Sequence, residues 1–195
     1  MADYSVIAAV SETLQSVLTE AFKILKPDPT PVAEVHDLQG NIPTSPARLT
    51  IFLFDTSEDP SARNRPRVRG IDPTGITQKK PPMALLLRYL LTPWSGDRLT
   101  DHKILGRALQ ILYDGAILSG SDLQGSLKDT DQALKITLSP LNLEDRTRVW
   151  HSVQKPFRLS VPYEVRVVNL DSESSDHLIP VSRRTLDYSE VGATR

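Results

Sequence analysis

The 195-residue chain carries 23 Lys and Arg against 24 Asp and Glu, so its net charge of −1 gives no general attraction to nucleic acid or anionic lipid. The absence of cysteine excludes disulfides, thiolate zinc sites and cysteine nucleophiles. No apolar run approaches the roughly 18 residues of a membrane helix, and the first residues lack the basic start of a signal peptide, so we expect a soluble protein assembled in the cytoplasm.

The first half of the chain predicts one long helix and two strands. Apolar residues recur at helical spacing from Tyr4 to Leu25, and the prolines of residues 26–31 end that helix. We expect a short strand at Val32–Leu38 and a longer one at Arg48–Asp55. The polar segment Thr56–Pro82 is predicted as a loop, far longer than the usual 4 to 6 residues or so.

The centre of the chain predicts a strand followed by an amphipathic helix. Leu85–Leu91 is apolar on both alternations except at Arg88, which is typical of a strand covered on both faces, and Pro93 is expected to end it. Asp97 or Thr100 is the expected helix cap. The helix is expected to end near residues 114–115 with a left-handed glycine, and its predicted buried stripe consists of Ile104, Leu105, Ala108, Leu109, Ile111 and Leu112.

The remaining elements complete a mixed fold. After a Gly-rich and Ser-rich connection we expect a strand at Ala133–Leu138, a helix at Leu143–Val153 capped by Asn142, a strand at Ser160–Leu170 with Pro162 at an edge or bulge, and a short strand opening at His177. The predicted fold class is α/β or α+β, with a mixed twisted sheet of about four to six strands packed by three helices. One domain is expected over residues 1–182, followed by a tail over 183–195.

No recognisable catalytic or metal-binding motif is present. The four histidines lack metal-ligand spacing, and no serine lies in a Gly-x-Ser-x-Gly turn. Glycines at 115, 120 and 125 resemble a phosphate loop but lack the Lys-Ser/Thr that follows one. We therefore predict a non-enzymatic protein with no catalytic, cofactor-binding or metal-binding residues.

The densest charge feature is a run of four arginines within seven residues. Arginine forks match anionic oxygens, so the run could bind phosphates, but no aromatic residue is interleaved and acidic residues lie just upstream. A solvated surface and a docking surface for an acidic protein partner are the other two interpretations. The predicted partner-interface residues are Arg63, Arg65, Arg67 and Arg69, called here the arginine segment.

Five large aromatic residues could form a ligand-binding patch or pack in the core or a subunit interface. Their placement on predicted helices and strands favours packing. They are Trp94, Trp150, Tyr89, Tyr113 and Tyr163.

Two segments carry a family resemblance. The run LRYLLTPW followed by DHKILGRALQILYDGAIL, and the block LEDRTRVWHSVQKPFRLSVPYEVRVV at Leu143–Val168, resemble the two signatures of the N-terminal domain of tube cap (terminator) proteins of phage-tail-like extracellular contractile injection systems. Weaker matches lie at residues 4–22 and 49–66. The four blocks follow the family's order, which makes their combination specific.

The resemblance implies a structural role. Its members cap the end of the inner tube, stop its growth and anchor the last sheath layer, which implies a sixfold homo-oligomeric ring that contacts tube and sheath proteins and needs no cofactor. It also favours docking by the arginine segment. Two alternatives remain open, a tail terminator or completion protein of a true contractile phage and a small-molecule-binding or enzymatic α/β domain.

Overall fold

The computed structural model describes residues 3–24, 30–72, 75–178 and 184. The chain divides into two compact units, one formed by Met1–Asn64 and Pro82–Asp171, the other by Arg65–Pro81 and Ser172–Arg195. The expectation of one domain over residues 1–182 stays a prediction. Apart from Arg184, the expected tail lies outside the described residues.

The described residues form three α-helices and nine strands, and several bounds differ slightly from those predicted. In chain order they are α1 (Val6–Phe22), β1 (Val32–Val35), β2 (Arg48–Glu58), β3 (Val68–Asp72), β4 (Gly75–Lys79), β5 (Met83–Trp94), α2 (Arg98–Asp114), β6 (Ile117–Ser119), β7 (Ala133–Leu138), α3 (Leu143–Ser152), β8 (Val161–Leu170) and β9 (Ser175–Leu178).

The larger unit is built on a six-stranded mixed sheet. Its strand order is β1-β2-β5-β8-β7-β6, in which only β1 and β2 run parallel. With three helices packed on this sheet, the predicted fold class is confirmed.

One face of this sheet carries the main core. Helices α1 and α2 contribute buried side chains at 3–4-residue spacing, and β5 contributes those of alternate residues. These side chains pack together in one apolar layer between the helices and the sheet. Tyr89 of β5 is fully buried there, and its hydroxyl lies 2.9 Å from Ser11 Oγ on α1. Burial raises the pKa of Tyr89 to about 12, although the Ser11 hydrogen bond acts in the opposite direction.

The other face carries a second, smaller core under α3. Trp150 of α3 is 1% exposed, clusters with Leu90 of β5 and with Leu38 and Ile42, and donates from Nε1 to Ser160 Oγ at 3.1 Å. The strand β5 therefore has buried side chains on both faces, as its continuous apolar sequence predicts.

Two expectations about proline are wrong. Pro93 lies inside β5, opposite Leu49, and Pro162 lies in β8, which is an interior strand. The Pro93 carbonyl accepts a hydrogen bond from Arg158, which lies before the first paired residue of β8. The Pro162 carbonyl accepts one from the amide of Ser139, which lies just after the last paired residue of β7. Because the N and O of a strand residue point to the same side, each missing N–H falls where no ladder bond is needed.

The smaller unit contains a three-stranded antiparallel sheet of order β3-β4-β9. The predicted loop Thr56–Pro82 is therefore wrong over β3 and β4, and β2 extends to Glu58. These strands lack the alternation of large apolar residues that indicates a strand from sequence, and main-chain pairing defines them. The predicted last strand corresponds to β9, which begins at Ser175, two residues before the predicted opening at His177.

Candidate interaction surfaces

The arginine segment is exposed throughout, and Arg63 and Arg67 each form an intramolecular ion pair. In the larger unit, Arg63 Nε lies 3.0 Å from Glu58 Oε2. In the smaller unit, Arg67 Nη1 lies 2.9 Å from Asp176 Oδ2, and Arg69 stands on β3 opposite Gln78. Exposed ion pairs contribute little to stability, so Arg63 and Arg67 can release these carboxylates and bind those of another protein at little cost. Docking by the segment stays a prediction.

A charged network crosses three strands of the large sheet. Arg88 of β5 donates from Nη1 to Asp55 Oδ2 of β2 at 2.5 Å and from Nε to Glu164 Oε1 of β8 at 3.1 Å. Arg166 Nη2 lies 3.0 Å from Glu164 Oε2, and Ser139 Oγ donates to Glu164 Oε1 at 3.2 Å. This network explains the single charged residue in the apolar β5 sequence.

The network shifts the pKa values of its central pair. Burial alone would raise the pKa of Glu164, but hydrogen bonds from Arg166, Arg88 and Ser139 outweigh it and hold that pKa below its usual range. For Arg88, burial acts to lower the pKa, and bonding to Glu164 and Asp55 reverses this to a net rise. The charges are compensated internally, which indicates a structural role.

A groove lies where the end of β5 meets α2 and the segment that follows α3. Its volume is about 610 Å³, and we call it the Trp94 groove. Trp94 donates from Nε1 to Thr50 Oγ1 at 2.9 Å and packs on Trp150 with ring centroids 6.4 Å apart. The groove is lined by Asn41, Ile42, Trp94, Arg98, Lys155, Pro156, Phe157, Arg158 and Leu159.

Cations surround the Trp94 ring. The Arg158 guanidinium lies 4.5 Å and the Lys155 ammonium 5.6 Å from the ring centroid, within the range of cation–π attraction. Arg158 also donates to the Pro93 carbonyl and to Asp101 Oδ2, both at 2.8 Å. The buried Asp101 accepts further bonds from the Ser95 amide and hydroxyl. Asp101 therefore holds Arg158 in place.

The start of α2 also shows what sequence reasoning missed. Asp97 caps the helix, accepting from the Thr100 amide at 2.8 Å, as one of the two predicted options. Asp101, in the first turn of α2, is 3% exposed and paired with Arg158, 57 residues later. The Arg158 contact could not be read from local spacing. At the other end of α2, Gly115 has φ −99°, so the expected left-handed exit is wrong.

A second groove, of about 560 Å³, is almost wholly apolar and lies between α2 and β7. Tyr113 and Leu138 line it and are strongly exposed, and Tyr163 lies at its buried side, where burial raises the Tyr163 pKa. Of the five aromatic residues considered, Trp150, Tyr89 and Tyr163 are buried and Trp94 is partly buried, which agrees with packing for these four.

Within the described ranges, no group of three or more His, Asp or Glu side chains is arranged to hold a metal ion. In the same part of the chain, no helix has both the length and the apolarity to cross a membrane.

The sequence matches the model of one protein family, described as the Pvc16 N-terminal domain, over residues 6–184. The chain belongs to the Pvc16 N-terminal domain family. The match spans α1, both cores and the β3-β4-β9 sheet, and it confirms the resemblance that the two signature segments carry. No curated protein sequence gives a significant match.

Solved structures share the fold of this family member. A sheath/tube terminator in the extended state, from an extracellular contractile injection system named PVC, superposes with a TM-score of 0.60 at 20% identity, covering 97% of this chain and 65% of that chain. The tube-terminating cap of the anti-feeding prophage superposes with a TM-score of 0.56 at 18% identity, covering 96% and 62%. This chain thus spans less than two thirds of either relative.

Proposed function

We propose that this protein is a structural cap, or terminator, at the distal end of the inner tube of a contractile injection particle. The main support is the family match over residues 6–184, together with a fold shared with two proteins that are themselves named as tube terminators. Those proteins belong to injection systems and prophage-type particles, which favours this role over an enzyme or a true phage terminator.

Termination follows from the geometry of repeated assembly. A growing tube exposes the same bonding surface after each ring, so a terminator matches that surface on one face and presents a different one on the other. We propose a sixfold ring of this chain that contacts the tube protein and anchors the last sheath layer. The ring assembles in the cytoplasm and becomes part of the particle.

The proposed role is non-enzymatic and needs no cofactor. It is supported by the way the described charged clusters are used, since Arg88 and Arg166 neutralise Asp55 and Glu164, and Asp101 is bound to Arg158. The arginine segment is proposed as a docking surface for an acidic neighbour in the particle.

Deletion of the gene tests the proposal. A terminator competes with tube subunits for the growing end, so its loss should broaden particle length or prevent stable sheathed particles. The measurement is the length distribution and yield of sheathed particles by electron microscopy, with a complemented strain as control. Unaltered length, abundance and sheath attachment in the deletion strain would show that the protein is not a terminator.

A further inference from the structure

The Trp94 groove combines exposed apolar surface with positive charge. Phe157 and Leu159 are 45% and 46% exposed, although both are large apolar residues on the short connection between α3 and β8. Single exposed apolar residues are ordinary, but two that line one groove beside a tryptophan form a contiguous patch. Such patches with polar surroundings are typical of sites that bind another molecule.

The charges in this groove are only partly compensated. Asp101 binds Arg158 at 2.8 Å and Arg98 more weakly at 3.4 Å, and the Arg98 side chain is 76% exposed. Lys155 donates to the Gly40 carbonyl at 2.7 Å, and within the described residues it has no carboxylate partner. Three cations thus face one buried carboxylate, which leaves a surplus of about two positive charges beside the apolar patch.

We propose that the Trp94 groove binds an extended acidic segment of another protein. An apolar side chain of that segment packs against Phe157 and Leu159, and adjacent carboxylates pair with Lys155 and Arg98. Charge complementarity and apolar burial then act in the same groove, which is the combination that gives protein interfaces both affinity and orientation.

The same observations disfavour a nucleic acid as the occupant. Single-stranded nucleic acid needs an open aromatic face for base stacking and a basic track for its phosphates. Arg158 already lies over the Trp94 ring and Trp150 packs against it, so of the two aromatic side chains that line the groove only Phe157 offers an open face, too few for a run of stacked bases. The two cations Lys155 and Arg98, one without a carboxylate partner among the described residues and one only weakly paired, suit a short carboxylate-bearing peptide better than a phosphate backbone.

The identity of the partner as a tube or sheath protein rests on the proposed function. The binding chemistry of the groove does not depend on that function. The two can therefore fail separately. Loss of length control in the deletion strain together with no peptide binding would remove this inference alone, and the reverse outcome would remove only the cap assignment.

Binding is measured on the purified full chain by fluorescence anisotropy. The probe is a labelled, terminally blocked peptide, acetyl-Leu-Asp-Phe-Glu-Leu-Asp-amide, at low salt. Its comparators are the Asn/Gln analogue and a short oligothymidylate. We expect saturable binding of the acidic peptide below about 1 mM and at least about tenfold weaker binding of the neutral analogue.

Matched variants locate the site. Lys155→Glu and Arg98→Glu should each weaken acidic-peptide binding by about tenfold or more, and Phe157→Ser by several fold. The controls Lys128→Glu and Lys103→Glu make the same charge change at exposed positions that do not line the groove, and should bind like the parent. Circular dichroism checks that each variant is folded, and because Lys155 and Arg98 are tested independently, one misfolded variant does not remove the test.

Three outcomes of the acidic-peptide measurements would overturn the inference. These are the absence of saturable binding at about 1 mM peptide, equal binding of the neutral analogue, and equal weakening by the control variants. Tighter binding of oligothymidylate, lost in Lys155→Glu, would assign the groove to nucleic acid and also reject the proposal.

Discussion

At the scale of single residues, Glu164 shows how a charge is kept in the middle of a sheet. Its side chain is 7% exposed, and its two carboxylate oxygens are shared by Arg88, Arg166 and Ser139. Removing one partner from such a network leaves the other side chains without a hydrogen bond that water cannot replace, because the carboxylate is buried. The members of the network therefore depend on one another.

This coupling predicts a pH-dependent effect of Glu164→Gln. Because the folded-state pKa of Glu164 lies below the ordinary value of 4.5, its stabilisation is complete above that value and is lost as pH falls through the lowered pKa. The variant should lose about 1 to 3 kcal/mol at pH 7 and show a shallower decline in the free energy of unfolding on acidification.

The measurement is urea unfolding followed by circular dichroism at pH 7 and at steps down through the acid range. Glu144→Gln, which removes the exposed Glu144–Arg148 pair, is the control and should change stability by less than about 1 kcal/mol. If the two variants decline in parallel with the parent chain, Glu164 makes no pH-linked contribution.

At the scale of elements, α2 links the main core to the Trp94 groove. Its buried stripe packs on the sheet, its cap at Asp97 and its first-turn Asp101 hold the neighbouring loop, and Arg107 on its flank donates to the Ala21 carbonyl of α1. The helix is thus anchored at its start by polar bonds and along its length by apolar contacts.

We therefore expect α2 to tolerate change on one side only. Leu105 is 5% exposed in the main core, so Leu105→Asp would bury an unpaired carboxylate and cost several kcal/mol, a large part of the roughly 5 to 15 kcal/mol of a typical domain. Gln110→Lys, on the exposed side, should change stability by less than about 0.5 kcal/mol.

Thermal unfolding followed by circular dichroism compares the two variants. In particles, Leu105→Asp should reproduce the deletion phenotype. Similar melting temperatures for both variants would contradict the burial of this stripe.

At the scale of the whole molecule, its proposed role depends on surfaces that face other chains. The arginine segment, the Trp94 groove and the apolar groove between α2 and β7 are three exposed features of the described residues. Obligate assemblies bury apolar grooves and place charges where they set register, so these surfaces are the places at which variants test the proposed assembly.

The arginine segment predicts a salt-sensitive step in assembly. Replacing all four arginines with Ser should leave the circular dichroism spectrum unchanged, because these side chains are exposed, but reduce incorporation into particles several-fold, since docking to an acidic neighbour would lose its charge pairs. Incorporation is measured by immunoblot of purified particles assembled at two salt concentrations.

The control removes the same number of positive charges elsewhere on the exposed surface. It replaces Lys23, Lys103, Lys128 and Arg148 with Ser. Normal incorporation of the arginine variant, or an equal defect in the control, would return the segment to the role of a solvated surface.

The sequence by itself determined the elements whose evidence is local. The stripe of α1, the caps at Asp97 and Asn142 and the doubly covered strand β5 depend on neighbours within a few residues, so periodicity and side-chain chemistry predict them. The order of four short blocks also sufficed to indicate the family.

Only the tertiary structure decided the features that depend on distant partners. The strands β3 and β4 are defined by main-chain pairing. Pro93 fits into β5 because the pairing with the neighbouring strand β8 has already ended at Leu91. Asp101 is buried because Arg158, which follows α3 in the chain, pairs with it. The Trp94 groove arises in the same way, since its cations and apolar residues come from separate parts of the chain. Contacts between residues far apart in sequence leave no periodic signal, so folding alone brings them together.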